Sequence, residues 1–221
     1  LVQGAAGILV ADAKQFPKLQ AACAKTGVLL VCDEVATGFG RTGTLFASEQ
    51  CGLRPDLMCV GKGITGGYLP MAATVANDRV YRAFLGPDLS EKTFYHGHSY
   101  GGNALAAAVA LKHLELFQRL NVLDNVRARA QQLREALARE IEPLRGIREI
   151  RQAGLMAAIE IENGATESRL ARRTSAAMVR RGVLARSLGS NLILVPPLTI
   201  TAEEIERIVS TLAAALEEVV Q

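Results

Sequence analysis

The sequence predicts an α/β fold, in which part of a large, mostly parallel sheet domain is followed by a smaller α+β domain. Three observations carry this expectation. Two apolar runs, Val28-Leu29-Leu30-Val31-Cys32 and Leu57-Met58-Cys59-Val60, lead to Asp33 and Lys62 and are bounded by turn residues, the form of buried strands. Helix-spaced and strand-like segments alternate, which is the grammar of a parallel sheet with helical crossovers. Around Asn121 the composition turns from apolar to charged, so the domains are expected at 1–120 and 121–221.

Leu19, Ala22 and Cys23 recur at helical spacing within 16–26, and Gly27 ends that helix. Strands are expected at about 28–33 and 57–61, with a short third one at 72–76. Asn103 to Gln118 is rich in Ala and Leu and reads as a long helix leaving the large domain. Val122 to Leu144 is an amphipathic helix closed by Pro143 and Gly146. Ile147–Arg151 and Leu155–Ile161 read as strands joined at Gly154. A helix over about 167–181 follows, then short strands at Val183–Arg186 and Leu192–Val195. The last helix opens on a capping box, Thr201-x-x-Glu204, and carries the stripe Ile205, Ile208, Val209, Leu212 and Leu216.

With 49% apolar residues, the 221-residue chain can build a sizeable core. A formal charge of +3 is too small to imply a polyanionic partner. The arginines between Arg127 and Arg151 are interspersed with Glu135, Glu140, Glu142 and Glu149, as on a solvated helix face, and lack the stacking aromatics that nucleic-acid binding uses. Cys23, Cys32, Cys51 and Cys59 have no metal-type C-x-x-C spacing; two lie inside apolar runs, and reduced thiols in a cytoplasmic protein are expected. No apolar stretch approaches membrane length.

Asp33 and Lys62 carry the chemistry. In open α/β sheets ligands bind at the carboxyl ends of the strands, and Gly61, Gly63, Gly66 and Gly67 allow close approach to the backbone. A carboxylate and an amine at that edge suit pyridoxal phosphate, whose aldehyde needs a lysine and whose ring nitrogen needs an acid partner. Burial and a cationic neighbour would lower the lysine pKa and make the amine nucleophilic. Taken alone, a Gly-Lys-Gly is more often an exposed loop, and an aspartate after a strand is often a turn or N-cap residue. His96 and His98 have the H-x-H form of a metal pair, but no carboxylate or thiol lies nearby in sequence to complete a site, so no metal is expected.

The words around these residues are specific. Asp33-Glu34-Val35-Ala36-Thr37-Gly38-Phe39-Gly40-Arg41-Thr42-Gly43 resembles the aspartate segment of class III aminotransferases on the fold type I scaffold of pyridoxal-phosphate enzymes. Gly61-Lys62-Gly63-Ile64-Thr65-Gly66-Gly67-Tyr68 is similar to their Schiff-base lysine segment, and His96-Gly97-His98-Ser99-Tyr100 to the loop that reaches the neighbouring subunit's cofactor phosphate. The resemblance runs from Leu1 to Gln221. Ala36, where many relatives carry glutamine, and Thr65-Gly66-Gly67-Tyr68 point to the branch that works in biotin synthesis.

The resemblance implies transamination, with an amino donor that is S-adenosylmethionine or, as the His98-Ser99 form suggests, lysine. Other class III activities, on ω-amino acids or 4-aminobutyrate, are the enzymatic alternative. By the same resemblance, Lys62 is the catalytic lysine, Asp33 the ring-nitrogen partner, and His98 and Ser99 phosphate ligands across a homodimer interface. Gly97 and Arg186 would bind substrate, Arg186 through the substrate carboxylate. Arg41 reads as structural, and Tyr68 and Tyr100 as pocket or core residues. The opening Leu1-Val2-Gln3-Gly4-Ala5-Ala6-Gly7 resembles the interior of family sequences, so the chain is expected to be a carboxy-terminal half. The other class of answer is therefore an incomplete piece that acts only in structure or dimerisation.

Overall fold

A computed structural model describes residues 1–162 and 169–220. In chain order the elements are β1 (Val2–Gln3), β2 (Leu9–Val10), α1 (Phe16–Thr26), β3 (Val31–Asp33), α2 (Ala47–Gln50), β4 (Leu57–Val60), β5 (Ala73–Ala76), α3 (Asp78–Ala83) and α4 (Ala104–Arg119). They continue with α5 (Val122–Glu140), β6 (Ile147–Ala153), β7 (Met156–Ile161), α6 (Leu170–Arg180), β8 (Arg186–Leu188), β9 (Asn191–Leu194) and α7 (Ala202–Val220). The chain divides into two units. One holds Asp12–Phe39 and Thr44–Leu120; the other holds Leu1–Ala11, Gly40–Gly43 and Asn121–Gln221.

In the first unit, the elements start and stop where their sequences dictate. Pro17 lies in the first turn of α1, and Gly27 caps its end in the left-handed region. Asn103 caps α4, its side chain accepting from the amides of Leu105 and Ala106. The sheet order is β3-β4-β5, with β3 and β4 parallel and β5 antiparallel to β4. The expected strand at 28–33 shortens to three residues and is not buried, since Val28 is 58% and Val31 55% exposed. As the edge strand of a three-stranded sheet, β3 pairs among the described residues only with β4, and its apolar side chains stay on the surface of this chain. Leu19 on α1 is exposed too.

The second unit holds the larger core. Its sheet runs β6-β7-β9-β8, antiparallel throughout. β7 is buried on nearly every residue because both of its faces are covered. One face, through Met156 and Ala158, packs with Ile8 and Ile193. On the other, Ala157, Ile159 and Ile161 are almost fully buried, as are Leu133, Leu137, Met178, Leu212 and Leu216 of the helices. Full burial of each large aliphatic side chain contributes about 1.5–3 kcal/mol. The capping box of α7 forms as its spacing predicts, with Thr201 N–H donating to Glu204 and Glu204 N–H to the Thr201 hydroxyl. The helix expected from Glu167 is seen from Leu170; Glu167 itself lies outside the described residues.

The two units part at Leu120 and Asn121, where the composition changes, but Leu1–Ala11 and Gly40–Gly43 group with the carboxy-terminal unit and not with the rest of 1–120. The reasons are local. Ile8 enters the core beside Met156, and Arg151 donates to the Gly7 carbonyl at 3.1 Å. The Gly40–Gly43 segment is held by Leu155 N–H on the Arg41 carbonyl (3.0 Å) and by Arg127 on the Gly43 carbonyl (3.2 Å). The Arg41 guanidinium itself donates to the carbonyl of Pro196 at 2.5 Å. Its role in the fold is structural.

Candidate active site

The parallel pairing of β3 with β4 sets Asp33 in register with Cys59. Lys62 follows Cys59 after Val60 and Gly61, so the carboxylate and the amine leave the sheet at the same, carboxyl edge. Asp33 Oδ1 accepts from the Val35 amide at 2.9 Å, which turns the chain after the strand and fixes one carboxylate oxygen. Both Asp33 and Lys62 are exposed. The burial that would activate the lysine is thus not supplied by this chain's own residues.

Lys62 opens a 3-10 turn, Lys62–Thr65, and holds φ at +38°, a left-handed conformation that a side chain with a Cβ rarely adopts. The turn is tied by amide-to-carbonyl bonds from Ile64 to Gly61 and from Gly66 to Gly63, each 3.0 Å. Thr65, nearly fully buried, donates its hydroxyl to the Leu69 carbonyl at 2.6 Å.

A residue the sequence reading passed over stands next to Asp33. Glu34 is 2% exposed, and its carboxylate accepts from Ala47 N–H (3.1 Å), Ser48 N–H (2.7 Å) and the Thr37 hydroxyl. This buried anion ties the strand end to the start of α2. Its sequence signal was a second acidic residue directly after an apolar run, where only one can point along the ligand edge.

Gly97, His98 and Ser99 lie in the exposed connection before α4. His98 Nδ1 accepts from the Tyr100 amide at 3.2 Å, and the two rings lie 5.7 Å apart. Tyr68 and Tyr100 are 85% and 76% exposed, so neither packs in a core here. Arg186 belongs to the other unit. It is exposed and starts β8, opposite Ile193, whereas the sequence suggested a strand over Val183–Arg186 with the arginine at its end; 183–185 are not in a strand. The four cysteines are free thiols; Cys51 is buried, and burial raises the pKa of Cys32 and Cys51. Among the described residues, no helix is long and apolar enough to cross a membrane.

The profile of class-III aminotransferases matches residues 1–216. The chain belongs to that family. Among curated members, it is 44% identical to adenosylmethionine-8-amino-7-oxononanoate aminotransferase of Nitratidesulfovibrio vulgaris, over 98% of this chain and 41% of the relative. It is 41% identical to the enzyme of the same name from Aquifex aeolicus, over 98% of this chain and 49% of the relative. The crystal structure of the Methanocaldococcus jannaschii protein of that name superposes with a TM-score of 0.92 at 36% identity, covering 99% of this chain and 52% of that one. An amine transaminase from an uncultivated Pseudomonas species, solved in its pyridoxal-phosphate-bound form, superposes with a TM-score of 0.93 at 36% identity, covering 99% and 51%. This class-III aminotransferase chain therefore has the fold type I α/β architecture, and it spans about half the length of the relatives it matches.

Proposed function

We propose that this chain forms the lysine-bearing part of a pyridoxal-phosphate-dependent aminotransferase that converts 8-amino-7-oxononanoate to 7,8-diaminononanoate in biotin synthesis. The single observation that carries the reading is the delivery of Asp33 and Lys62 to one edge of the β3–β4 pair. The donor set fits the cofactor: one carboxylate for a pyridine N–H, one amine for an aldehyde, both accessible. When bound, the cofactor supplies a ring that accepts the negative charge developing at the substrate α-carbon.

The chain's own residues would do the rest. Asp33 holds the proton on the ring nitrogen, its second oxygen kept in place by the Val35 amide. Lys62 Nζ secures the cofactor and moves a proton to and from the substrate carbon. The Ser99 hydroxyl and the backbone at His98 donate to the phosphate across a homodimer interface. Gly97 lines the substrate path, and the Arg186 guanidinium takes the substrate carboxylate by its two-pronged fork. The setting proposed is the cytoplasm, with S-adenosylmethionine or lysine as donor.

The names of the curated relatives support the biotin substrate. A second reading, amine or ω-amino acid transamination, is favoured by the structural neighbours that include an ω-transaminase from Thermomicrobium roseum at 35% identity. The chain combined with the amino-terminal half of the Aquifex aeolicus relative should be assayed with 8-amino-7-oxononanoate and each donor, beside a panel of amines and keto acids. Diaminononanoate formation supports the first reading. Turnover only with pyruvate or 2-oxoglutarate as acceptor overturns it in favour of the second, and no turnover with any pair marks a structural piece.

A further inference from the structure

Beneath the Lys62 turn lies a histidine that none of the roles above uses. His113 sits on α4, between the buried Ala110 and Phe117 in the helix stripe that also contains Ala106. Its ring meets the Phe39 ring at 6.3 Å and the Phe117 ring at 5.9 Å, both edge-on. The ring also interacts with the Ile64 backbone, inside the Lys62–Thr65 turn. Gly66, which closes the turn at φ +61°, is so near that a Cβ there would stand 2.9 Å from His113 Cδ2. Only glycine gives both the conformation and the room.

The electrostatics agree with the geometry. His113 Nδ1 is buried, with no hydrogen-bond partner among the described residues. Burial pushes the imidazole pKa down, against the opposing pull of the Ile64 backbone. With Nδ1 unpartnered, Nε2 is the ring nitrogen left to donate toward the Ile64 backbone.

We infer that His113 is a positioning residue for Lys62: the imidazole, braced by Phe39 and Phe117, holds the Lys62–Thr65 turn through Ile64 and Gly66. The strained backbone at Lys62 requires such support, because a left-handed residue persists only where its surroundings over-determine it. Lys62 Nζ is thereby aimed from a fixed backbone even though its side chain is exposed. The catalytic meaning of this support rests on the proposed role of Lys62.

The test is amide hydrogen exchange by NMR on this chain, unmodified and as His113→Leu and His113→Gln, beside pyridoxal phosphate labelling of Lys62 followed by borohydride. His113→Leu keeps the bulk and loses the donor. It should speed exchange at Ile64 and Gly66 about tenfold relative to the β4 amides, the effect of one lost hydrogen bond. Lys62 labelling should fall in parallel, and His113→Gln, which restores an N–H, should recover both. Equal changes at the turn and in β4, or no recovery with glutamine, would overturn the inference in favour of a packing role alone. If His113→Leu does not fold, the imidazole nitrogen shifts of the unmodified chain decide. A bare Nδ1 with protonated Nε2 supports the inference, and the opposite tautomer or a cation overturns it. Absence of any Lys62 adduct in the unmodified chain would instead count against the proposed function, while the exchange rates would still decide the role of His113.

Discussion

Asp33 stands opposite Cys59 across the parallel β3–β4 pair, and this one register relation brings Lys62 to the same sheet edge as the carboxylate. A shift of one residue in that pairing would turn Asp33 to the other face of the sheet. The register is held from both ends. Glu34 N–H donates to the Cys59 carbonyl at 2.8 Å, and Asp56 N–H to the Leu30 carbonyl at 2.8 Å.

Lys62 carries backbone strain that glycine would relieve. Lys62→Gly is expected to raise stability by about 1 kcal/mol, since a left-handed conformation costs a residue with a Cβ about 1–2 kcal/mol and glycine gives back part of this in chain entropy. Urea unfolding would check the sign. A loss of stability would mean that the side chain makes contacts that outweigh the strain.

The buried Glu34 carboxylate has three donors around it. Glu34→Gln keeps the size and removes the charge, and it turns an acceptor into a donor facing the Ala47 and Ser48 amides. Hydrogen bonds to charged groups contribute about 1.5–3 kcal/mol, so a loss of about 2 kcal/mol or more in urea unfolding is expected. Glu91→Gln, at an exposed position with no side-chain partner among the described residues, serves as the neutral comparison.

Gly154 and Gly189 share a φ of +58° but differ in surroundings. At Gly154 a Cβ would lie 2.5 Å from the Arg41 carbonyl oxygen, a backbone atom that cannot swing away, whereas at Gly189 nothing lies within 4 Å. Gly189→Ala should therefore cost about 1 kcal/mol from conformation alone. Gly154→Ala should cost at least about 3 kcal/mol, because overpacking adds to the same strain. Equal thermal shifts for the two variants would contradict the close approach of Arg41.

Asp56 gives a pH signature. Its carboxylate is held below its ordinary pKa first by the Leu30 amide and then by the Asn77 side-chain amide, with Arg79 nearby. A depressed carboxylate stabilises the fold fully above its unfolded pKa of about 3.9. That stabilisation is lost as pH falls through the lower folded value. Urea midpoints measured from pH 7 down to pH 2 should fall below about pH 4. The fall should be shallower in Asp56→Asn; identical profiles would remove Asp56 from the account.

Much of this was legible in the sequence, and the misses have local physical causes. Gly27, the Thr201-Glu204 capping box and the helical stripe from Ile205 to Leu216 each contain their own signal, and the helices α1 and α7 form there. The edge position of β3 was not legible, because an apolar run looks the same whether one or two strands flank it. Nor was the grouping of Leu1–Ala11 with the carboxy-terminal unit, which depends on Ile8 meeting Met156 across a long sequence gap. That Asp33 and Lys62 leave the sheet at one edge was legible because each follows an apolar run. Glu34 and His113 were overlooked because their partners, the α2 amides and the Lys62 turn, lie far away in sequence. The one sequence signal for His113 was its helical spacing with Ala106, Ala110 and Phe117, and it was not used.

The central claim is that Lys62 is the amine that takes up an aldehyde cofactor, and it can be tested without turnover. The chain is mixed with pyridoxal phosphate, reduced with borohydride and mapped by peptide mass. The account predicts a reduced adduct on Lys62 well in excess of those on Lys14, Lys18, Lys25, Lys92 and Lys112. An adduct spread evenly over the six lysines, or concentrated on any of the other five, would contradict it.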